Sequence, residues 1–389
     1  MNFCPKCGNK ISHEGINFCP NCGEALSKYS NNEASSLDSF DFSDMLKEAQ
    51  KSLLEKEQED KFYSQAEVKD NVLIKYSGND KRVNIPEGIV EISANAFVMS
   101  KAEAIFVPKT VKTIGLFAFG SISAEEITVS EDNPYYKSVD GVLYSKDLST
   151  LIQYPRGKKG YYNMPSEVSY VGKCAVSCCP YINGITLSSR LTTIDDVAFS
   201  GLGVSSITIP ESVRTIGHHA FSECNGLIDV TILGRGAVIG KGAFSTCPSL
   251  RTVNIGEGVT CIEENAFFNC SSLVSISLPK SLVTIGKSAF ELCESLQRVE
   301  IPSGVSVISQ NAFSSCKSLE SVTLNEGITR IEYRSFSRTA LKSVKIPYSV
   351  QSIDSSAFPS LPMWSPFVVY VPRGRSYPIK DDGRNLIEY

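Results

Sequence analysis

Histidine is scarce in this chain: His13, His218 and His219 are the only three. That thins the options for general acid–base chemistry before any motif is read. Long apolar runs are missing as well. Stretches such as Phe367 to Val371 fall far short of the roughly 20 residues that span a bilayer. The opening MNFCPKCGNK has no basic segment leading into an apolar one, so no secretory signal is visible. The expected compartment is the cytoplasm, with reduced thiols; the alternative is the cell surface by an unrecognised route. Net charge is only −4, which argues against a strongly electrostatic nucleic-acid binder. No nucleophile elbow, phosphate loop or HExxH pattern is present, so the expectation is a protein that is not an enzyme.

What is abundant is cysteine. The 389 residues hold 13, an odd number that argues against a complete internal disulfide framework. Four of them form two Cys-Pro-x-Cys-Gly knuckles, Cys4/Cys7 and Cys19/Cys22. Four thiolates are the full complement of a closed tetrahedral zinc site, and each knuckle is a tight turn that can aim two sulfurs at one ion. A segment this short has almost no core, so one structural zinc ion is expected to supply its folding free energy. The segment resembles the short zinc ribbons at the N-termini of many bacterial proteins, which are usually binding or structural modules. His13 lies between the knuckles but adds nothing to a complete ligand set.

Residues 31–70 change character, with eleven acidic and five basic side chains. They read as an acidic linker between a ribbon at 1–30 and a larger domain at 71–389. Phe42, Met45, Leu46, Ala49 and Leu53 recur at helical spacing, so a helix over about 42–61 is predicted. It is either a solvated spacer or a self-association surface.

The larger domain repeats itself. VNIGEGVTCIEENAFFNCSSLVS recurs as ISLPKSLVTIGKSAFELCESLQR and again as VEIPSGVSVISQNAFSSCKSLES. Phenylalanines 97 and 119, then 199, 221, 244, 267, 290, 313, 336 and 358, are 22 or 23 residues apart within each run, and Val176 holds the same place in another unit. About eleven units are recognisable. In each, V-x-I alternates as a short strand does, proline ends it at 86, 108, 210, 279, 302 and 347, and V-x-x-I makes a second apolar step. Ala-Phe then points a ring inward. No unit can bury its apolar face alone, so the units must stack into a solenoid. Six cysteines, Cys179, Cys224, Cys247, Cys270, Cys293 and Cys316, fall three residues after the repeat Phe or its equivalent and predict a buried structural ladder. Cys174, Cys178 and Cys261 fall at other phases and are expected to lean toward the surface.

This consensus closely resembles the BspA-like leucine-rich repeats, over roughly residues 70 to 372. The resemblance implies a curved, mostly β solenoid used for protein or surface binding; many members of that family are secreted or surface-attached. The period breaks at 133–159, which predicts an inserted hairpin from Val139–Tyr144 and Thr150–Tyr154. Val72–Tyr76 and Phe367–Val371 are the expected caps.

Eight of the 16 tyrosines lie between 135 and 181, with Arg156, Lys158 and Lys159 among them. Tyrosine and arginine are favoured at interface hot spots. Tyr135, Tyr136, Arg156, Lys158 and Lys159 are therefore the candidate binding residues. The function expected from the whole chain is a non-enzymatic protein–protein interaction scaffold. The alternatives are a nucleic-acid-associated regulator working through the ribbon, where Lys6, Lys10 and Lys28 are a thin basic set, and a surface adhesin.

Overall fold

The computed structural model describes residues 3, 10, 18, 19, 21, 22, 42–120, 122–359, 367–379 and 385–389. The chain divides into two compact units, Met1–Glu57 and Gln58–Tyr389. In the first, Phe3 and Lys10 form an antiparallel bridge and Cys19 is buried. The second is a β-solenoid of about thirteen turns, two more than the repeats recognisable in the sequence.

Each coil contributes two strands. The V-x-I segment forms the longer one, as in Thr252–Ile255, with Val253 and Ile255 buried and Asn254 exposed. Val-x-x-Ile ends in a two-residue strand, as in Cys261–Ile262. Both kinds pair in parallel with their equivalents in the next coil, so Thr208, Thr231, Asn254 and Ser277 stand in one row. Between the two strands the chain turns at the proline or glycine positions, where no ladder donor is needed.

On the third side the Ala-Phe pair makes its own ladder. The Phe199 N–H donates to Ala220 O, Phe221 to Ala243 O, Phe244 to Ala266 O and Phe267 to Ala289 O, at 2.7–2.8 Å. This holds successive rings in register. From Phe199 to Phe358 their centroids lie 5.0–5.8 Å apart and their planes 2–9° from parallel. Just ahead of each Ala-Phe pair the backbone is left-handed, at Asn95, His219, Asn265 and Asn311 among others. Asn tolerates that conformation better than most residues, but the β-branched Val197 is strained there at φ 59°.

The break at 133–159 is not a simple hairpin inserted between coils. Tyr136–Val139, Val142–Ser145 and Thr150–Gln153 form a three-stranded antiparallel meander. Its last strand then pairs in parallel with Tyr170–Val171, so the meander ends a nine-stranded sheet. Tyr136–Val139 escaped the sequence reading because only part of it is buried and its lysine and serine break the apolar run. The meander also partitions the core. Leu143 packs with a front cluster running from Phe62 to Ile127, whereas Val142, Tyr144 and Leu151 pack with the larger cluster behind. Successive residues of one strand point to opposite faces, so a single strand walls both cores.

Asn133 anchors the meander. Fully buried, it donates to Pro108 O and Val111 O and accepts from the N–H groups of Tyr135 and Tyr136, at 2.8–3.0 Å. All of its hydrogen-bonding capacity is used, which is what a buried amide requires.

The caps extend one strand beyond the expected ones. At the front, Ala66–Lys69 pairs antiparallel with Val72–Tyr76. The helix Phe42–Gln65, longer than the predicted 42–61, carries Phe62 into contact with Tyr76 at 5.3 Å. The cap therefore begins ahead of residue 71. At the back, Asn385–Glu388 adds a parallel strand to Val368–Val371, and Phe367 closes the ring stack against Phe358 at 5.8 Å.

One coil departs from the ladder's composition. Ser335 stands where Ala220, Ala243, Ala266, Ala289, Ala312 and Ala357 stand elsewhere; its side chain is buried and its hydroxyl finds no partner. An orphaned buried hydroxyl costs on the order of 1–3 kcal/mol. Ser335→Ala should therefore stabilise the solenoid by about 1 kcal/mol, read as a higher urea midpoint at unchanged slope. An equal or lower midpoint would show that the hydroxyl is satisfied.

Candidate interaction surface

The tyrosine-rich region separates into three groups. Tyr144, Tyr154 and Tyr162 are core residues: the Tyr144 and Tyr162 hydroxyls lie 2.7 Å apart, and the Tyr154 and Tyr162 rings are 4.8 Å apart. Tyr154 N–H donates to Ala175 O as the repeat phenylalanines do to their alanines, so Tyr154 occupies the ring position of its coil. Tyr76 does the same toward Ala96. Tyr154 lies 22 residues before Val176, a signal hidden because the ring is not phenylalanine.

The second group holds Tyr135 and Tyr136. Tyr135 is 46% exposed, while Tyr136 is half-buried and donates its hydroxyl to Lys112 O at 3.1 Å. The third holds Lys158, Lys159, Tyr161 and Tyr181. Lys158 Nζ sits 3.4 Å from Asp140 Oδ2, and Lys159 Nζ lies 5.7 Å from the Tyr181 ring centroid. Asp140 follows the far end of the Tyr136–Val139 strand, roughly 13 Å along from Tyr136 at strand rise. The candidates Tyr135 and Tyr136 thus stand at one end of the meander and Lys158 at the other, with Arg156 half-buried. They form two neighbouring patches.

The two histidines of the repeats are exposed, with His218 Nε2 3.7 Å from Glu263 Oε2. They sit on a surface turn whose backbone is tied down: His218 N–H donates to Asp196 Oδ1, and the Ser222 hydroxyl donates to His219 O rather than to an imidazole. The row of outward strand residues is exposed along the solenoid, including Thr186, Thr208, Asn254, Ser277, Glu300, Thr323 and Lys345.

The six cysteines at the phase after the ring are all fully buried. Five of their thiols donate to a phenylalanine carbonyl of the preceding coil: Cys224 to Phe199 O, Cys247 to Phe221 O, Cys270 to Phe244 O, Cys293 to Phe267 O and Cys316 to Phe290 O, at 3.1–3.3 Å. The ladder is therefore a coil-to-coil fastening with weak donors. Of the three cysteines at other phases, Cys178 is exposed and Cys261 half-buried. Cys174 is buried, against expectation.

Of the proposed zinc ligands, Cys19 is buried and Cys22 half-buried; Cys4 and Cys7 lie outside the described residues. Among the described residues no group of three or more His, Cys, Asp or Glu side chains converges as a metal site. In the helix, Leu46 and Leu53 of the apolar stripe are 46% and 65% exposed. No helix among the described residues is long and apolar enough to cross a membrane.

A stack of two-strand coils with an inward ring and an outward polar row is a leucine-rich-repeat solenoid. The family described as BspA type leucine rich repeat region matches in six copies, over residues 68–139, 159–260 and 237–362, and the chain belongs to it. Among solved structures it is similar to a leucine-rich repeat protein from Eubacterium ventriosum, with 24% identity, 78% of this chain and 68% of that one covered, and a TM-score of 0.53. A leucine rich cell surface protein from Faecalibacterium prausnitzii matches with 22% identity, 82% and 90% coverage, and a TM-score of 0.44. No curated protein matches the chain.

Burial sets the alkaline limit of this fold. It pushes the Cys179 thiol from an ordinary 9.0 to about 12, and raises Cys293 and Cys316 as well. Tyr144 is likewise pushed up to about 12 by burial. In the unfolded chain these groups ionise at their ordinary values while the folded chain keeps its protons. Stability is then full below pH 9.0 and falls as pH rises from there toward about 12. Melting temperature should be level from pH 7 to 8 and drop steadily above 9. A level profile to pH 11 would contradict the buried assignment.

Proposed function

We propose that the chain is a protein-binding scaffold with no catalytic role, in which the solenoid presents a rigid surface and a zinc ribbon is a second binding module. The observation that carries this reading is the solenoid's division of labour: apolar side chains face the core, and an exposed residue from each coil stands on the outer row. Such a surface offers extended contact to a partner. Tyr135, Tyr136 and Arg156 are the proposed protein-binding patch, and Lys158 and Lys159 belong to the neighbouring one. In the ribbon, Cys4, Cys7, Cys19 and Cys22 would hold one zinc ion, which supplies folding free energy and leaves no open coordination position.

Family membership favours a second reading of location, with the scaffold displayed on the cell surface rather than held in the cytoplasm. Antibody labelling of intact cells separates the two. A nucleic-acid role through the ribbon is the weaker alternative, since the basic set there is thin.

One experiment tests both modules. Tyr135→Ala, at the exposed ring, should weaken capture of partner protein with no change in melting temperature, and adding Tyr136→Ala and Arg156→Ala should weaken it further in a chain that melting curves show still folded. Cys4→Ser/Cys7→Ser should lose about one zinc per chain by elemental analysis. Undiminished capture would overturn the patch, and unchanged metal content would overturn the ribbon.

A further inference from the structure

Tyr161 and Tyr181 are the most exposed tyrosines of the meander region, at 61% and 54%. Tyr161 lies on the strand Gly160–Asn163, and Tyr181 immediately precedes the neighbouring parallel strand Ile182–Thr186, joined by Gly160 N–H donating to Tyr181 O. Both point outward: residues 159, 161, 163, 181 and 183 are exposed while Tyr162 and Ile182 are buried.

The Tyr161 ring lies across the neighbouring strand. A Cβ on Gly184 would sit 2.5 Å from its Cε2, so only glycine leaves room for the ring. Its hydroxyl is 2.8 Å from Thr186 Oγ1, which fixes the ring's outer end. Tyr161 is therefore a preformed aromatic surface with one face on the backbone and the other open. Lys159 extends over Tyr181 beside it. Asn163 and Asn183 supply exposed amides on the same face.

From this platform the outward row continues through Thr186, Thr208, Thr231, Asn254 and Ser277, with the last four in strand register. Over this stretch the row is hydroxyl and amide; Asp229 is an exposed charge on the same strand face as Thr231, and the row itself turns charged at Glu300. A protein partner would need a desolvated apolar centre there. A chain of uncharged hydroxylated rings would not: its C–H faces stack on tyrosine, and its hydroxyls pair with Thr, Ser and Asn.

We propose that this face is a saccharide-binding site for a neutral glycan of β-linked, gluco-configured pyranoses. In such sugars the equatorial hydroxyls leave the axial C–H groups as flat apolar faces. Tyr161 is the stacking platform, Tyr181 the second ring, and the Thr186-to-Ser277 row the hydrogen-bonding track. The site is independent of the Tyr135/Tyr136 patch, so either can fail alone.

The test is affinity electrophoresis of the full chain in native gels cast with barley mixed-linkage β-glucan or hydroxyethyl cellulose. Retardation is expected in at least one gel. Tyr161→Ala should weaken it about tenfold or more, as the loss of one stacking ring does elsewhere. Tyr161→Phe keeps the ring and should keep binding. Gly184→Val lifts the ring and should lose binding with the tyrosine still present. Melting curves check that each variant is folded. No retardation in either gel, or retardation undiminished in folded Tyr161→Ala, overturns the proposal. Protein capture that depends on Tyr161 without retardation in either gel also overturns it and assigns the face to a protein.

Discussion

The structure depends on one constraint: no coil has a core of its own. Each repeat brings one ring, a few aliphatic side chains and one small thiol or leucine, all of which need the next coil as a lid. The Ala-Phe ladder meets this constraint. It binds the backbone of one coil to the next at the point where the rings stack, through phenylalanine N–H and alanine carbonyl, and the cysteine thiols of the following coil add a second fastening by donating to the carbonyl oxygens of those phenylalanines. Stacked aromatic pairs are worth about 0.5–1.5 kcal/mol each beyond the area they bury. The stabilisation is therefore shared between neighbours, as in other repeat proteins.

The repeat was legible because its most conspicuous residue recurs at an almost fixed interval. Where that residue changes, the reading faltered. Tyr76 and Tyr154 fill the ring position but were not counted as repeat rings, and Phe62 enters the front cap from a helix whose period is unrelated to the coil's. The short strands were legible as apolar steps. The meander was legible only in part: its two apolar strands were seen, but not Tyr136–Val139, nor the parallel pairing that welds Thr150–Gln153 into the long sheet. Non-local pairing leaves little trace in local pattern. The buried Asn133 carries no signal at all, since asparagine reads as a turn residue until its partners at Pro108 and Val111 are known.

The candidate surface was legible as a region rather than as a geometry. Tyrosine density marked residues 135–181, but composition alone could not separate core rings from exposed ones. Strand alternation around Tyr161 and Tyr162 does so in one step, one ring outward and the next inward. Likewise, the phase of Cys174 points to the surface, where its equivalents Asn95 and His219 stand, yet the thiol is buried. The meander thus has two roles. It walls two cores from each other, and it places Tyr135 and Tyr136 at its outward end, while Tyr161 and Tyr181 stand on the separate strand pair that follows. The family relationship accounts for the solenoid.

The shared core is tested most directly by native-state hydrogen exchange on the wild type and Phe267→Ala. Removing a buried ring should cost about 3–5 kcal/mol. If the coils are lids for one another, protection should fall at the Phe244 and Phe290 amides as well as at Phe267. Loss of protection confined to the Phe267 coil, with its neighbours unchanged, would contradict the account.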